Sequence, residues 1–433
     1  MHRPPASLRL RAVAGALTLG LIAACSGSGD SGPGRAVLSS TTSTTTRPDP
    51  AADGHLALGA LLPATGPVSA VSPAFGTPVQ LAVDEINVSG GVDGQPVSLA
   101  VADDASDPAT ARAALAGLVD DQHVDAVIGP SSSQLAADLM PGLADDHVVM
   151  CSGANTAGAL STIDSGGFYF RTAPPDRLQA VALARLLRAD GRARPLVVAP
   201  PTGVDPAFVT QVVTALRAAG LHPVVPRERD LASGPALART MERGRADAVL
   251  LLGAPDAVAP VLRGLVAAGK GPAQVPTYGN DSLQSADFGA AVDPANQAIV
   301  AGMKGTTPAG SPAGIDHPFA ARLAATGTDP FFSASAYDCT VLVALAAVAA
   351  GSDRAEAIRT HLPALLTGRH DCTGFADCAA RLGRRETVHY RGAFSAYDRW
   401  RRTEPGSGTY DVWTMGLDAH PALGPPENQI RVG

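Results

Sequence analysis

Aromatic residues make up only 4% of this 433-residue chain, and lysine occurs just twice, at Lys270 and Lys304. The shortage of rings counts against a carbohydrate ligand, because sugar sites often rely on aromatic platforms. There is no basic excess either: 33 Lys and Arg against 40 Asp and Glu leave a formal charge of -7. That balance excludes the basic face a nucleic-acid partner needs, and the small cluster Arg399, Arg401 and Arg402 reads as solvated surface. The histidines are scattered, with no His-Glu-x-x-His and no paired Cys-x-x-Cys, so no metal site and no cofactor is indicated. Gly-x-Ser-x-Gly is missing as well. Gly264 to Gly271 reads GLVAAGKG, but Gly271 stands where a phosphate loop requires Ser or Thr, and the segment closes a helix instead of opening one. No catalytic residue is indicated, and the chain reads as a non-enzyme.

What is present is a globular composition. The hydrophobic share of 45% and the length allow two or three domains, each with its own core. The N-terminus has a different character. Arg3, Arg9 and Arg11 precede an apolar run from Ala12 to Ala24, too short for a comfortable membrane span but suited to a secretory signal. Residues Leu21 to Cys25, LIAAC, resemble the bacterial lipobox, so Cys25 is the expected lipidation site. Residues 26–54 are mostly Gly, Ser, Thr, Pro, Ala and Asp, which bury no core and read as a flexible tether. Outside the cytoplasm, the remaining four cysteines form an even set. Cys372 and Cys378 are neighbours, which makes Cys372–Cys378 plus Cys151–Cys339 the economical pairing. Four cysteines allow three pairings, and a free catalytic Cys151 is the sharper alternative.

From Leu56 onward strands alternate with helices. Leu56 to Leu62 runs into Thr65-Gly66-Pro67, and a helix follows from Val79 to Asn87. Gly90-Gly91 stops it, and Asp93-Gly94 turns the chain into Val97 to Val101. Asp125 to Ile128 delivers Gly129-Pro130-Ser131-Ser132-Ser133, and His147 to Met150 delivers Ser152 to Thr156. The pattern restarts after Pro174-Pro175, with strands expected at Pro195 to Ala199, Pro223 to Val225, Ala246 to Leu252 and Val275 to Tyr278. Strands alternating with helices imply parallel sheets, and such sheets bind ligands beyond the carboxyl ends of their strands. Both hydroxyl-rich loops lie at such ends.

Taken in order, LLPATGPV, LAVDEINVSGGVDGQPV, VADDASDPATA, VIGPSSS, MCSGANT, YFRTAPPD, TYGNDS and AYDCTVLVALAAVAAGS resemble the substrate-binding proteins of ABC importers. The likeness is to the leucine/isoleucine/valine-binding type with the type I periplasmic-binding-protein fold. The resemblance implies an α/β fold of two doubly wound parallel-sheet lobes joined by a three-segment hinge. It implies residues 55–174 and 305–390 in lobe 1, 175–304 and 391–415 in lobe 2, and a C-terminal tail at 416–433. The crossings are expected at Phe170 to Pro174, Val300 to Thr306, and near Arg391 to Ser395, with closure about the hinge. The implied partners are a small-molecule ligand, an ABC permease and the membrane that holds the lipidated Cys25.

The same resemblance implies a zwitterion clamp. Ser133, with Ser131 and Ser132 before it, matches the serine that binds a ligand carboxylate. Ala154 offers a backbone carbonyl to the ammonium group, Thr156 touches both ends, and Asn155 lies between them. Asp281 matches the second lobe's carboxylate that pairs with the ammonium, a charge-assisted contact. Any one of Ser131, Ser132 or Ser152 could serve only as a helix cap, and Asp281 as a turn residue. The expected aromatic lid is missing: Val71, Thr202-Gly203-Val204 and Ala254-Pro255 stand there, with Phe75, Phe208 and Tyr278 nearby. The expected function is an extracytoplasmic receptor for a small polar metabolite, with an amino acid or relative favoured. A sensor of the same fold, and a serine- or cysteine-dependent hydrolase, are the rival readings.

Overall fold

A computed structural model describes residues 52–231, 233–310, 317–330 and 332–433. Cys25, the signal segment and most of the expected tether lie outside the described residues. The first sheet contains β1 (Ala57–Leu62), β2 (Ser98–Asp103), β3 (Ala126–Ile128), β4 (Val149–Ser152) and β5 (Tyr169–Arg171). Their order is β2-β1-β3-β4-β5, parallel throughout. Helices cover both faces of such a sheet, so its central strands are continuous apolar runs rather than alternating ones. Leu58, Ala60, Leu61, Ala126 and Val127 are accordingly fully buried.

One helix, Ser333–Ala350, is apolar on every side and buried from Ser333 to Ala347. By length and composition it could cross a membrane. Here it packs on the helix Ser72–Val88 inside the first lobe, as an all-round apolar helix of a large core does. The disulfide Cys151–Cys339 joins it to the end of β4. Asp338 on this helix is fully buried. It accepts hydrogen bonds from Tyr390 Oη at 2.8 Å, Tyr397 Oη at 2.7 Å, Ala393 N at 2.8 Å and Phe394 N at 2.9 Å. Burial pushes its carboxyl up to about 6, against the pull of those four donors.

The second sheet begins with β6 (Pro195–Val198), β7 (Ala248–Leu251), β8 (Thr277–Gly279) and β9 (Lys304–Pro308), which are parallel. A two-stranded parallel pair follows in the first lobe, β10 (His370–Cys372) with β11 (Val388–Tyr390). The disulfide Cys372–Cys378 ties β10 to the next helix, Gly374–Gly383. A hairpin of β12 (Trp400–Arg401) and β13 (Glu404–Pro405) lies between the lobes' last segments. Then β14 (Gly408–Met415), β15 (Pro421–Leu423) and β16 (Ile430–Val432) complete the second sheet, with β14 antiparallel to β9, β15 and β16. Trp413 packs flat against Gly305, where any Cβ would collide with its ring.

Several expected boundaries move. β9 stays in the second sheet to Pro308, and Ala309 still bonds Thr409, so the change of lobe falls after residue 309 and not at Val300 to Thr306. Residues 391–397 belong to the first lobe, because Ala393, Phe394 and Tyr397 sit in its core. Residues 416–433 are no tail: β15 and β16 are paired strands. Among the described residues, Pro223 to Val225 forms no strand, and Val224 makes an isolated bridge to Leu196.

Asp338→Ala leaves two phenols and two amides without their buried acceptor. It is expected to lower stability by about 3 kcal/mol or more. Urea unfolding should show the midpoint falling with little change in slope, and an unchanged midpoint would contradict this account.

Candidate functional site

The candidate site residues lie at the carboxyl ends of strands in both sheets. In the first lobe, the loops after β3 and β4 are bound to one another before any ligand is considered. Ser152, buried, donates from Oγ to Pro130 O at 2.8 Å and accepts from Ala154 N and Asn155 N at 3.2 Å each. Asn155 Nδ2 donates to Pro130 O and Ser131 O at 3.0 Å each, and its Oδ1 accepts from Tyr169 Oη at 3.0 Å. Gly153 lies so close to Ser335 and Ala336 that a side chain there would overlap their backbone, and its carbonyl accepts from Ser335 Oγ at 2.7 Å.

Beneath these loops runs Arg171, fully buried. Its Nε donates to Glu404 at 3.0 Å. Its Nη1 donates to Asn155 O at 3.2 Å and Ala157 O at 2.9 Å, and its Nη2 donates to Ser161 Oγ at 2.8 Å and to Glu404. Arg177 reaches the other oxygen of Glu404 at 3.1 Å.

The expected ligand contacts divide. Ser132 caps the helix Ser133–Leu139 through Leu135 N at 3.4 Å. Asn155, expected among the ligand contacts, is completely buried and its amide is committed inside the lobe. Ser133 Oγ accepts from Thr156 N at 3.2 Å and Ala157 N at 3.3 Å. Two acceptor bonds use both lone pairs, which leaves its hydroxyl hydrogen free to be donated. Ser131, Ala154 and Thr156 are partly exposed on the same rim. Cys151 is disulfide-bonded and is therefore no nucleophile.

On the other side, Asp281 follows β8, with Ser282 N donating to it at 2.9 Å and Asn280 Nδ2 at 3.4 Å. Asn280 Oδ1 in turn accepts from Gly253 N at 3.1 Å, which ties the loop after β7 to this one. Burial pushes the Asp281 carboxyl up, while the side chain of Gln179 and the amide of Ser282 pull it down.

Two residues that sequence reasoning missed complete the floor. Asp176 opens the helix Asp176–Ala189, with its N–H bonded to Thr156 O at 2.8 Å. Burial raises its carboxyl to about 6. The Thr156 hydroxyl opposes that rise, and the nearby Asp281 carboxylate adds to it. Tyr410 on β14 is fully buried, and its hydroxyl has no hydrogen-bond partner among the described residues. Burial and the Asp281 and Asp176 carboxylates raise it well above the ordinary phenol range. Phe208 and Tyr278 lie in the second lobe's core, and Phe75 in the first lobe's. Phe208 and Tyr278 do not stand as a lid, whereas Phe75 lines the small hollow beside Ser131 and Ala154.

Two α/β lobes, a hinge of separate chain segments and a polar floor shared between them define a two-lobed solute-binding protein. The chain belongs to the periplasmic binding protein family, whose model matches residues 56–389. It is 29% identical over 372 residues, 81% of this chain and 85% of the other, to the chemotactic signal transduction system substrate-binding protein BasB of Halobacterium salinarum. A Leu/Ile/Val-binding protein of Rhizobium johnstonii matches over a shorter stretch, 37% identical over 112 residues, 26% of this chain and 30% of that one. Among solved structures, the branched-chain amino acid transporter substrate-binding protein LivJ of Streptococcus pneumoniae, in complex with isoleucine, superposes with a TM-score of 0.64 at 20% identity. That match covers 87% of this chain and 99% of the other. An ABC transporter substrate-binding protein of Desulfitobacterium hafniense complexed with Leu gives 0.66 at 19% identity, covering 86% and 100%. At these identities the solved structures show the fold, the type I arrangement expected from the sequence, and the family acts outside the cytoplasm.

Asn155→Ala removes the partner of two carbonyls and one phenol and is expected to cost about 2 kcal/mol of stability. Thermal and urea unfolding of the variant measure that loss. A variant as stable as the parent would return Asn155 to the list of ligand contacts.

Proposed function

We propose that this protein is the extracytoplasmic receptor of an ABC importer. It captures an amino acid, or a close relative with the same charged ends, in the interlobe cleft and presents it to a membrane permease. Lipidation of Cys25 and the tether at 26–54 would keep it at the membrane surface. The observation that carries the ligand class is the pair of raised carboxyls, Asp176 and Asp281, beside the donor-poised Ser133. A carboxylate held at partial burial resists ionisation, and an ammonium group beside it relieves that cost. Ser133 can donate to the ligand carboxylate, and the Thr156 hydroxyl stands between the two ends.

A second reading keeps the ligand and changes the partner. The likeness to BasB, a chemotaxis component, favours a sensor that reports occupancy to a signalling protein. Pull-down of the ligand-loaded chain with its genomic neighbours separates the two, a permease supporting import and a transducer supporting sensing.

Isothermal titration with amino acids, small amides, sugars and polyols tests the ligand class. Asp281→Asn is expected to weaken amino-acid binding by at least tenfold, about 1.4 kcal/mol, for loss of a charge-assisted contact. If only ligands without an amine bind, the ammonium site is wrong.

The pH dependence has a definite sign. Asp176 is raised to about 6 in the folded chain, so it favours folding most below its unfolded value and loses that contribution as pH rises through about 6. A bound ammonium needs the ionised form. Amino-acid affinity should therefore be full above pH 7 and fall as pH drops through about 6, while the ligand-free chain does not gain stability from this group on raising pH. Affinity that is flat between pH 5 and pH 7.5 would count against Asp176 as a ligand contact.

A further inference from the structure

Outside the cleft, at the free edge of the second sheet, lies a hollow of about 400 Å³ beside the Val224–Leu196 bridge. Four arginines line it, Arg227, Arg229, Arg239 and Arg243, against one carboxylate, Asp230. The hollow is preformed. The turn Glu228–Asp230 meets the helix Gly234–Gly244 at Thr240 Oγ1, whose single hydrogen is shared between Ala236 O at 3.0 Å and Asp230 at 3.4 Å. Arg243 Nη2 donates to the same Thr240 Oγ1 at 3.0 Å, which points one guanidinium at the hollow's wall. The nearby Glu242 faces Lys270 instead, at 3.4 Å.

Among the described residues no carboxylate forms an ion pair with any of the four guanidiniums, although the chain carries a formal charge of -7. Acids are the more numerous residues, yet here the cations converge unpaired. An anion entering the concavity would meet several of these cations at once. Guanidinium offers forked donors that match phosphoryl oxygens, and it is the side chain best suited to bind them in pairs.

We propose that this hollow is a binding site for a multiply charged phosphoryl oxyanion, separate from the ligand cleft. Such a group reaches an anchored receptor from two sources, the headgroup of an anionic phospholipid or a free phosphorylated solute. In the first case the site would orient the second lobe against the membrane surface.

The test is titration of inorganic pyrophosphate into the full chain at low salt, followed by flotation with vesicles. The flotation uses the full-length Cys25→Ser chain, so that no lipid anchor contributes. Binding of pyrophosphate is expected, weakened about tenfold or more by Arg239→Gln with Arg243→Gln, and equally by Arg227→Gln with Arg229→Gln. Both pairs lie outside the cleft, so the thermal shift given by the cleft ligand reports that each variant is folded and should be unchanged. Arginine-dependent flotation with anionic but not zwitterionic vesicles supports the headgroup source. Pyrophosphate binding without flotation supports the free solute. No pyrophosphate binding at low salt, or binding equal in parent and variants, overturns the proposal.

Discussion

Arg171 is the constraint on which the rest of the site depends. A guanidinium has five N–H donors, and all five are used: two on Glu404, two on the carbonyls of Asn155 and Ala157, one on Ser161. A buried cation is tolerated only when it is paired and its hydrogens are satisfied. Here that requirement brings together the last strand of the first sheet, the loop after β4 and the β12–β13 hairpin. These are parts of the chain that lie more than two hundred residues apart. Arg177 shares Glu404, so the helix entering the second lobe is anchored to the same carboxylate. The hinge and the ligand loop are therefore one hydrogen-bonded unit. A shift of Glu404 would be felt at the carbonyls of Asn155 and Ala157, one and three residues from Ala154.

Much of the fold could be read from the residues. β3 and β4 are short apolar runs that end in loops with small hydroxyl residues, and a parallel sheet puts such ends at its ligand edge. The two disulfides follow from the spacing of Cys372 and Cys378 and from what that pairing leaves over. The second crossing was not legible, because β9, with the sequence KGTTP, has neither an apolar run nor an alternating one. It is held by pairing to β8 and β14 and by Trp413 over Gly305, contacts no local pattern reveals. The closing strands were hidden for a similar reason. β15 and β16 are three residues each, bounded by prolines and glycine, and read locally as turns.

The site was legible at the level of loops and not of side chains. Ser132, Ser133 and Asn155 are all polar residues after a strand, but one caps a helix, one ties two loops and one is sealed in the core. Only the three-dimensional accounting of donors and acceptors separates them. Asp176 was missed because an acid after Pro-Pro at a helix start has an ordinary explanation in the helix dipole. Tyr410 was missed because an aromatic residue in a strand has an ordinary explanation in the core. What distinguishes both is their shared approach to Asp281 from a different chain segment, which depends on β14 returning antiparallel to β9.

This division of labour has a consequence for selectivity. The first-lobe loops are internally satisfied through Ser152, Asn155 and Arg171, so they are shaped before a ligand arrives and pay little ordering entropy on binding. Burial raises the carboxyls of both Asp176 and Asp281, and the Asp281 carboxylate adds to the rise at Asp176. The aromatic side chains that could have formed a lid are committed elsewhere, with Phe208 and Tyr278 in the second lobe's core and the Tyr278 hydroxyl on Asp190 at 2.8 Å. If Asp176 and Asp281 hold the ligand as proposed, the cleft would discriminate by charge more sharply than by side-chain shape. One missing methylene in an apolar pocket changes affinity by about 1–3 kcal/mol, whereas a buried carboxylate left without its cation keeps the full cost of its desolvation.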